Sequence, residues 1–193
     1  MGEPILALQD TWFTKGNSGV LRSSITEIEI KDTYIPTGSE TAFWDASEAN
    51  DGSVMVYVEG AKLIIAGNGS GKVYANPDST AAFSSTGSDY FSSLTTFIGG
   101  NLLNTSKATT MKDMFRLATK LTTVDVSNWD TSNVTSLYRT FSGKSGSEMA
   151  LQTLDVSNWN TGKVTDMIAT FQRCTNLRSL NVGNWNTSNI SSF

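Results

Sequence analysis

VDVSNWDTSNVTSLYRTF (Val124 to Phe141), LDVSNWNTGKVTDMIATF (Leu154 to Phe171) and LNVGNWNTSNISSF (Leu180 to Phe193) are three near-copies of one phrase. Such repetition turns the fold question into a stacking question, because a short unit can bury its apolar face only against the next copy. Aligned on Trp129, Trp159 and Trp185, the copies lie 30 and 26 residues apart, while Phe115, Phe141 and Phe171 recur at 26 and 30. The period is therefore 26, and the Gly- and Ser-containing GKSGSEMALQ between Phe141 and Leu154 carries the excess as a surface loop. A degenerate unit, NTSKATTMKDMF (Asn104 to Phe115), puts the start of the array near residue 100.

Within a unit, Leu151, Leu154, Val156 and Trp159 follow the spacing LxxLxLxxW, the strand half of a leucine-rich repeat with Trp where such repeats often carry Asn. Leu121, Val124, Val126, Trp129 and Leu177, Leu180, Val182, Trp185 repeat it. The spacing predicts short strands at about 123–127, 153–157 and 179–183. After each Trp, Val134, Leu137, Tyr138, Phe141 and Val164, Met167, Ile168, Phe171 recur at i, i+3, i+4, i+7, which predicts a short helix. The Thr-Ser or Thr-Gly pair upstream of each would open it, with an oxygen free to cap the first turn. The expected fold is an α/β leucine-rich-repeat solenoid, with a short parallel strand and a short helix per 26-residue repeat, preceded by a small β-rich N-terminal region.

A row of indoles has two readings. Burying a Trp removes roughly 150–250 Å² from water, which favours a core ladder, whereas an exposed row would suit stacking against sugars. With the indoles inside, the alternating strand positions face outward. The candidate ligand-binding residues are therefore Asp125, Ser127, Asn128, Asp155, Ser157, Asn158, Asn181 and Asn184. In parallel rows about 4.8 Å apart they would suit polyvalent, individually weak recognition. The alternative is that they solvate the sheet or bond to neighbouring turns. Cys174 takes the place of Ala118, three residues after a Phe, and reads as a small buried side chain.

The recurring DVSNW[DN]TSNVT, the terminal Phe and FQRCTNL (Phe171 to Leu177) resemble the BspA-type leucine-rich repeats of bacterial surface proteins and of proteins encoded by phages and prophages. The stretch from Ala42 to Phe83 is similar to the β-rich segment that precedes such repeats. The resemblance implies a non-catalytic, surface-displayed binding module. One expected setting is a phage virion protein of tail, baseplate or head appendage, located on the virion surface. The alternative is a fragment of a bacterial adhesin at the cell surface or outside the cell. Its partners would be a host-cell surface glycan or protein, together with other virion subunits or a homo-oligomer covering the C-terminal end after Phe193.

The N-terminal half divides into 1–38, a β segment and candidate attachment region, and 39–98, a β-rich cap, ahead of the array at 99–193. VLRSSITEIEIK (Val20 to Lys31) reads as a strand, SVMVYVE (Ser53 to Glu59) and KLIIAG (Lys62 to Gly67) as a hairpin around Gly60-Ala61, and KVYA (Lys72 to Ala75) as a further strand. GNGSGK (Gly67 to Lys72) lacks the first Gly and the Ser/Thr of a phosphate-binding loop and precedes a strand, so it reads as a turn. Asp45, Glu48 and Asp51 do not match a calcium loop.

Composition narrows the chemistry further. With no histidine and one cysteine, the chain lacks the usual general base and any internal disulfide or Cys-based zinc site, and no cofactor is expected. Residues 1–98 carry 5 Lys+Arg against 12 Asp+Glu, and residues 99–193 carry 9 against 6. The basic residues are scattered, so no nucleic-acid partner is expected. No apolar run reaches membrane-span length, and from MGEPILALQDTW, which has no basic stretch followed by an apolar run, no secretion leader is expected.

Overall fold

The computed structural model describes residues 2–7, 9–16, 19–85 and 87–192. Its organising element is a mixed sheet of six strands in the order β2-β3-β4-β1-β6-β8. These are β1 (Glu27–Lys31), β2 (Ala42–Asp45), β3 (Met55–Glu59), β4 (Lys62–Ala66), β6 (Thr96–Ile98) and β8 (Thr123–Val124). A parallel pair, β5 (Val73–Tyr74) and β7 (Leu103–Asn104), lies beside it.

Alternation in the sequence sets the faces of the sheet. In β1 (EIEIK), Ile28 and Ile30 are buried while Glu27, Glu29 and Lys31 point outward. In β3 (MVYVE), Val56 and Val58 are buried. The expected hairpin is present, with β3 and β4 antiparallel from Met55↔Ala66 to Glu59↔Lys62. β1 then pairs in parallel with both β4 and β6, and β6 with β8, so the N-terminal strands and the first repeat strand share one sheet. The crossing from β6 into the array needs Gly99 and Gly100. A Cβ on them would stand 2.3 Å from the Ile30 carbonyl oxygen and 2.1 Å from that of Asp125.

The structure overturns the expected α/β leucine-rich-repeat solenoid, because the protein is mostly β and the described residues contain one α-helix, the single turn Thr11–Thr14. Both halves of the predicted repeat change. Of the predicted strands, β8 keeps two residues, and the later ones shrink to a bridge between Thr153 and Ser179. Where helices were expected, the chain forms successive turns.

The hydrogen bonds show why. The N–H groups of Leu137, Arg139 and Phe141 donate to the carbonyls of Asp166, Ile168 and Thr170 in the next coil. Those of Met111, Asp113 and Phe115 donate in the same way to Ser136, Tyr138 and Thr140. Intervening N–H groups close turns within a coil, as from Thr140 to Leu137 and from Thr170 to Met167. An α-helix would consume these donors internally and leave none for the neighbours. Helical geometry is also broken by left-handed residues two positions before each Phe, at Ala81 (φ 55°), Asp113 (55°), Arg139 (51°) and Ala169 (59°).

The ladder of rings lies in the core at Trp129 and Trp159, as the core reading of the indoles requires, and is half-buried at its last members, Phe171 and Trp185. Trp129, Trp159 and Trp185 stack at 6.4 and 6.2 Å between centroids, within 4° of parallel. Phe83, Phe115, Phe141 and Phe171 form a second column at 5.2, 5.3 and 6.1 Å. That column starts upstream of residue 100, and a row of parallel bridges, Asp78–Thr110–Ser136–Asp166–Ser192, starts there too. Trp12 extends the core further, 5.9 Å from Phe83 and donating its indole N–H to the Ala82 carbonyl. One apolar core runs from Leu6 to Met167.

Candidate functional site: a groove across the coils

Each coil presents the same local device after its strand. In the first, the Asp125 carboxylate accepts hydrogen bonds through Oδ1 from the Ser127 N–H (3.1 Å) and hydroxyl (2.7 Å). Asp155 does the same with Ser157 (3.0 and 2.7 Å), and the Asn181 side-chain oxygen accepts from the Gly183 N–H (3.1 Å). These are Asx-turns, which short acidic and amide side chains form readily. The Ser157 hydroxyl and N–H hold the Asp155 carboxyl below its ordinary range, so it is ionised at neutral pH.

One oxygen of each carboxylate serves the turn, and among the described residues the other has no hydrogen-bond partner. Asp125, Asp155 and Asn181 line one open groove of about 550 Å³ across consecutive coils, with Thr123, Thr153 and Ser179. Its floor is apolar, formed by Phe97, Val124 and Leu154, each about 6% exposed. The remaining candidates stand elsewhere. Ser127 and Ser157 are engaged by their own Asp. Asn128 borders a second depression of about 530 Å³ with Asn101, Asn104 and Asp130. Asn158 donates to the Ser127 carbonyl at 3.4 Å, and Asn184 is exposed outside both depressions. Part of the row thus fastens turns, and three of its members converge on the groove. The sequence reading missed Thr123, Thr153 and Ser179, although they stand two residues before the named Asp and Asn in the same outward alternation.

The Thr-Ser pairs are not helix caps. Thr131 is buried and donates its hydroxyl to the Asn160 carbonyl of the next coil, as Thr161 does to Asn186 and Thr105 to Asp130. The indole N–H groups work in the other direction. Trp129, Trp159 and Trp185 donate to the carbonyls of Gly100, Val126 and Val156 in the preceding coil. The groove therefore rests on side chains tied both forwards and backwards along the stack.

The motifs set aside in the N-terminal half are occupied by local bonds. Asp45 accepts from Ser47 and the Gly52 N–H, and Asp51 from the N–H groups of Gly2 and Ser53. Among the described residues no group of His, Cys, Asp and Glu could hold a metal ion. In the loop from Gly67 to Lys72, Asp32 accepts through its carbonyl from the Gly69 N–H and through its carboxylate from the Gly71 N–H. Among the described residues no helix is long and apolar enough to cross a membrane.

Fold and groove together define a mostly β protein whose repeats expose hydroxyl, amide and carboxylate rows above a stacked aromatic core. Residues 87–193, more than half of the chain, match the family described as "Mycoplasma protein of unknown function, DUF285", and the chain belongs to that family. No curated protein and no solved structure matches it.

Proposed function

We propose that the protein is a non-catalytic binding module whose grooved face engages a glycan or protein on a cell surface, displayed by a phage virion or by a bacterial cell. The observation that supports this reading is the convergence of Asp125, Asp155 and Asn181, one from each of three coils, on a single open groove. Repeated weak acceptors on a rigid face suit a ligand that itself repeats. The groove groups are carboxylates, amides and hydroxyls, and the sequence supplies no histidine to act as a general base beside them.

The test is binding of labelled protein to intact bacterial cells. Charge reversal at Asp125 and Asp155 would also remove two Asx-turns, so Thr153→Lys, at an exposed groove position outside those turns, is the cleaner block. Asp125→Asn with Asp155→Asn removes the charge and keeps the turn oxygen, as Asn181 already does. Loss of cell binding by Thr153→Lys with an unchanged melting temperature supports the reading. Undiminished binding by both variants contradicts it.

A further inference from the structure

Strand register carries the groove's outer face into the N-terminal half. Phe43 opposes Tyr57, Tyr57 opposes Ile64, Ile64 opposes Glu29, and Glu29 opposes Ile98, so by register these five positions share one face in a single row across β2, β3, β4, β1 and β6, with Ile64 itself buried (1% exposed) beneath the surface of the row. Thr96 opposes Thr123, and two residues on, Asp125 continues that row in the groove. At about 4.8 Å per strand, the row from Phe43 to Asp125 is about 24 Å long. At its far end stands a bare aromatic platform. Phe43 is 68% exposed and its ring lies 6.3 Å from that of Tyr57 at 29°, and Tyr34 packs 4.7 Å from Tyr57. The platform is held in place, because the Tyr34 hydroxyl sits 2.5 Å from Glu40 and 2.6 Å from Glu59.

We infer that this row and the groove form one strip that binds a linear, non-acidic glycan, with Phe43 and Tyr57 stacking on a sugar face and Asp125, Asp155 and Asn181 accepting from hydroxyls. The inference rests on the binding-module reading and names its ligand class. Between the exposed ring and the groove the face carries Glu29, the Lys31 and Lys62 ammonium groups and an isolated Ile98 (42% exposed), a mixed surface that fits an amphipathic polymer better than a protein, whose interfaces need a contiguous apolar centre. In that stretch Lys62 bridges Glu27 and Glu29, and Lys31 also reaches Glu29. Counting Glu40, Glu59, Asp125 and Asp155, carboxylates outnumber ammonium groups along the strip, which disfavours sulfated or uronic polymers.

The experiment is titration calorimetry with short and long cello-, chito- and malto-oligosaccharides, heparin as the acidic probe, and the variants Phe43→Ala and Thr153→Lys. The expected result is binding of a long neutral or amino oligosaccharide but not heparin. Phe43→Ala should weaken it about tenfold, without a change in melting temperature because the ring is exposed. Oligosaccharide binding lost in Thr153→Lys but unchanged in Phe43→Ala overturns the strip and leaves the groove reading standing. Binding lost in Phe43→Ala but unchanged in Thr153→Lys overturns the strip and the groove reading together. Binding of heparin alone, or of no saccharide while cell binding persists and is protease-sensitive, overturns the glycan class and leaves the groove reading standing.

Discussion

The indoles of Trp129 and Trp159 stack 4° from parallel with 6.4 Å between centroids, and the N–H of the second donates to the Val126 carbonyl three residues before the first. One side chain thus supplies both the van der Waals contact and the polar tie between two coils. Trp159 is 2% exposed and has Trp185 on its other side. Trp159→Ala should cost about 3–5 kcal/mol, read by urea unfolding. Trp185→Ala, at a half-buried ring, should cost less. Equal costs would mean that stacking depth does not set stability.

Thr140 is buried, and its hydroxyl lies 3.0 Å from the Met111 carbonyl of one coil and 2.9 Å from Leu137 of its own. Thr140→Val keeps the shape and removes this donor while both carbonyls keep a backbone N–H partner, Met114 for Met111 and residue 140 for Leu137, at an expected cost of about 0.5–1.5 kcal/mol. A neutral result in thermal unfolding would show that the hydroxyl ties do not hold the coils together.

Asp113 gives a pH dependence with a defined sign. Burial raises its pKa against the opposing pull of Arg116, Lys112 and Arg139, and no hydrogen bond reaches its buried Oδ1, with Arg116 Nε 3.7 Å away. A carboxyl whose folded pKa lies above its unfolded value, about 3.9, favours folding below that value and loses the contribution as pH rises through the folded pKa. Asp113→Asn should therefore be more stable than wild type at neutral pH, with the gap narrowing in acid. Melting temperatures across that range check it, and a variant less stable at neutral pH contradicts the sign.

Cys174 donates its thiol to the Phe141 carbonyl at 3.0 Å, and burial pushes its pKa up to about 12. Because the thiolate is the reactive form, labelling by an aromatic disulfide reagent at mildly alkaline pH should be slow until denaturant is added. Rapid labelling of the folded protein would place the thiol outside the stack.

The register of the repeats, the burial of Trp129 and Trp159 and the β3–β4 hairpin were legible, because Trp and Phe recur in step and alternation marks each strand. The helices were not. A turn closed between Leu137 and Thr140 returns side chains to one side every three or four residues, much as a helix does, so Val134, Leu137 and Phe141 fit both. What separates the two is the destination of the N–H groups, which the next coil decides. A local signal did exist, since TSNVTSLYRT is crowded with Thr, Ser and Asn, poor formers of helix interiors. The share of Phe43 and Tyr57 in the outer face was illegible for another reason. It depends on β1 lying between β4 and β6, a pairing of distant segments that no local pattern encodes.

The sign of one substitution tests the helix-free stack most directly. Ala169 holds φ at 59° two residues before Phe171, a left-handed conformation that costs a non-glycine residue about 1–2 kcal/mol. If the coil is a run of turns, Ala169→Gly should raise stability by about 1 kcal/mol in urea unfolding. If the segment were the helix that its apolar spacing suggests, the same change would lower stability by about 1 kcal/mol, and that result would contradict the account.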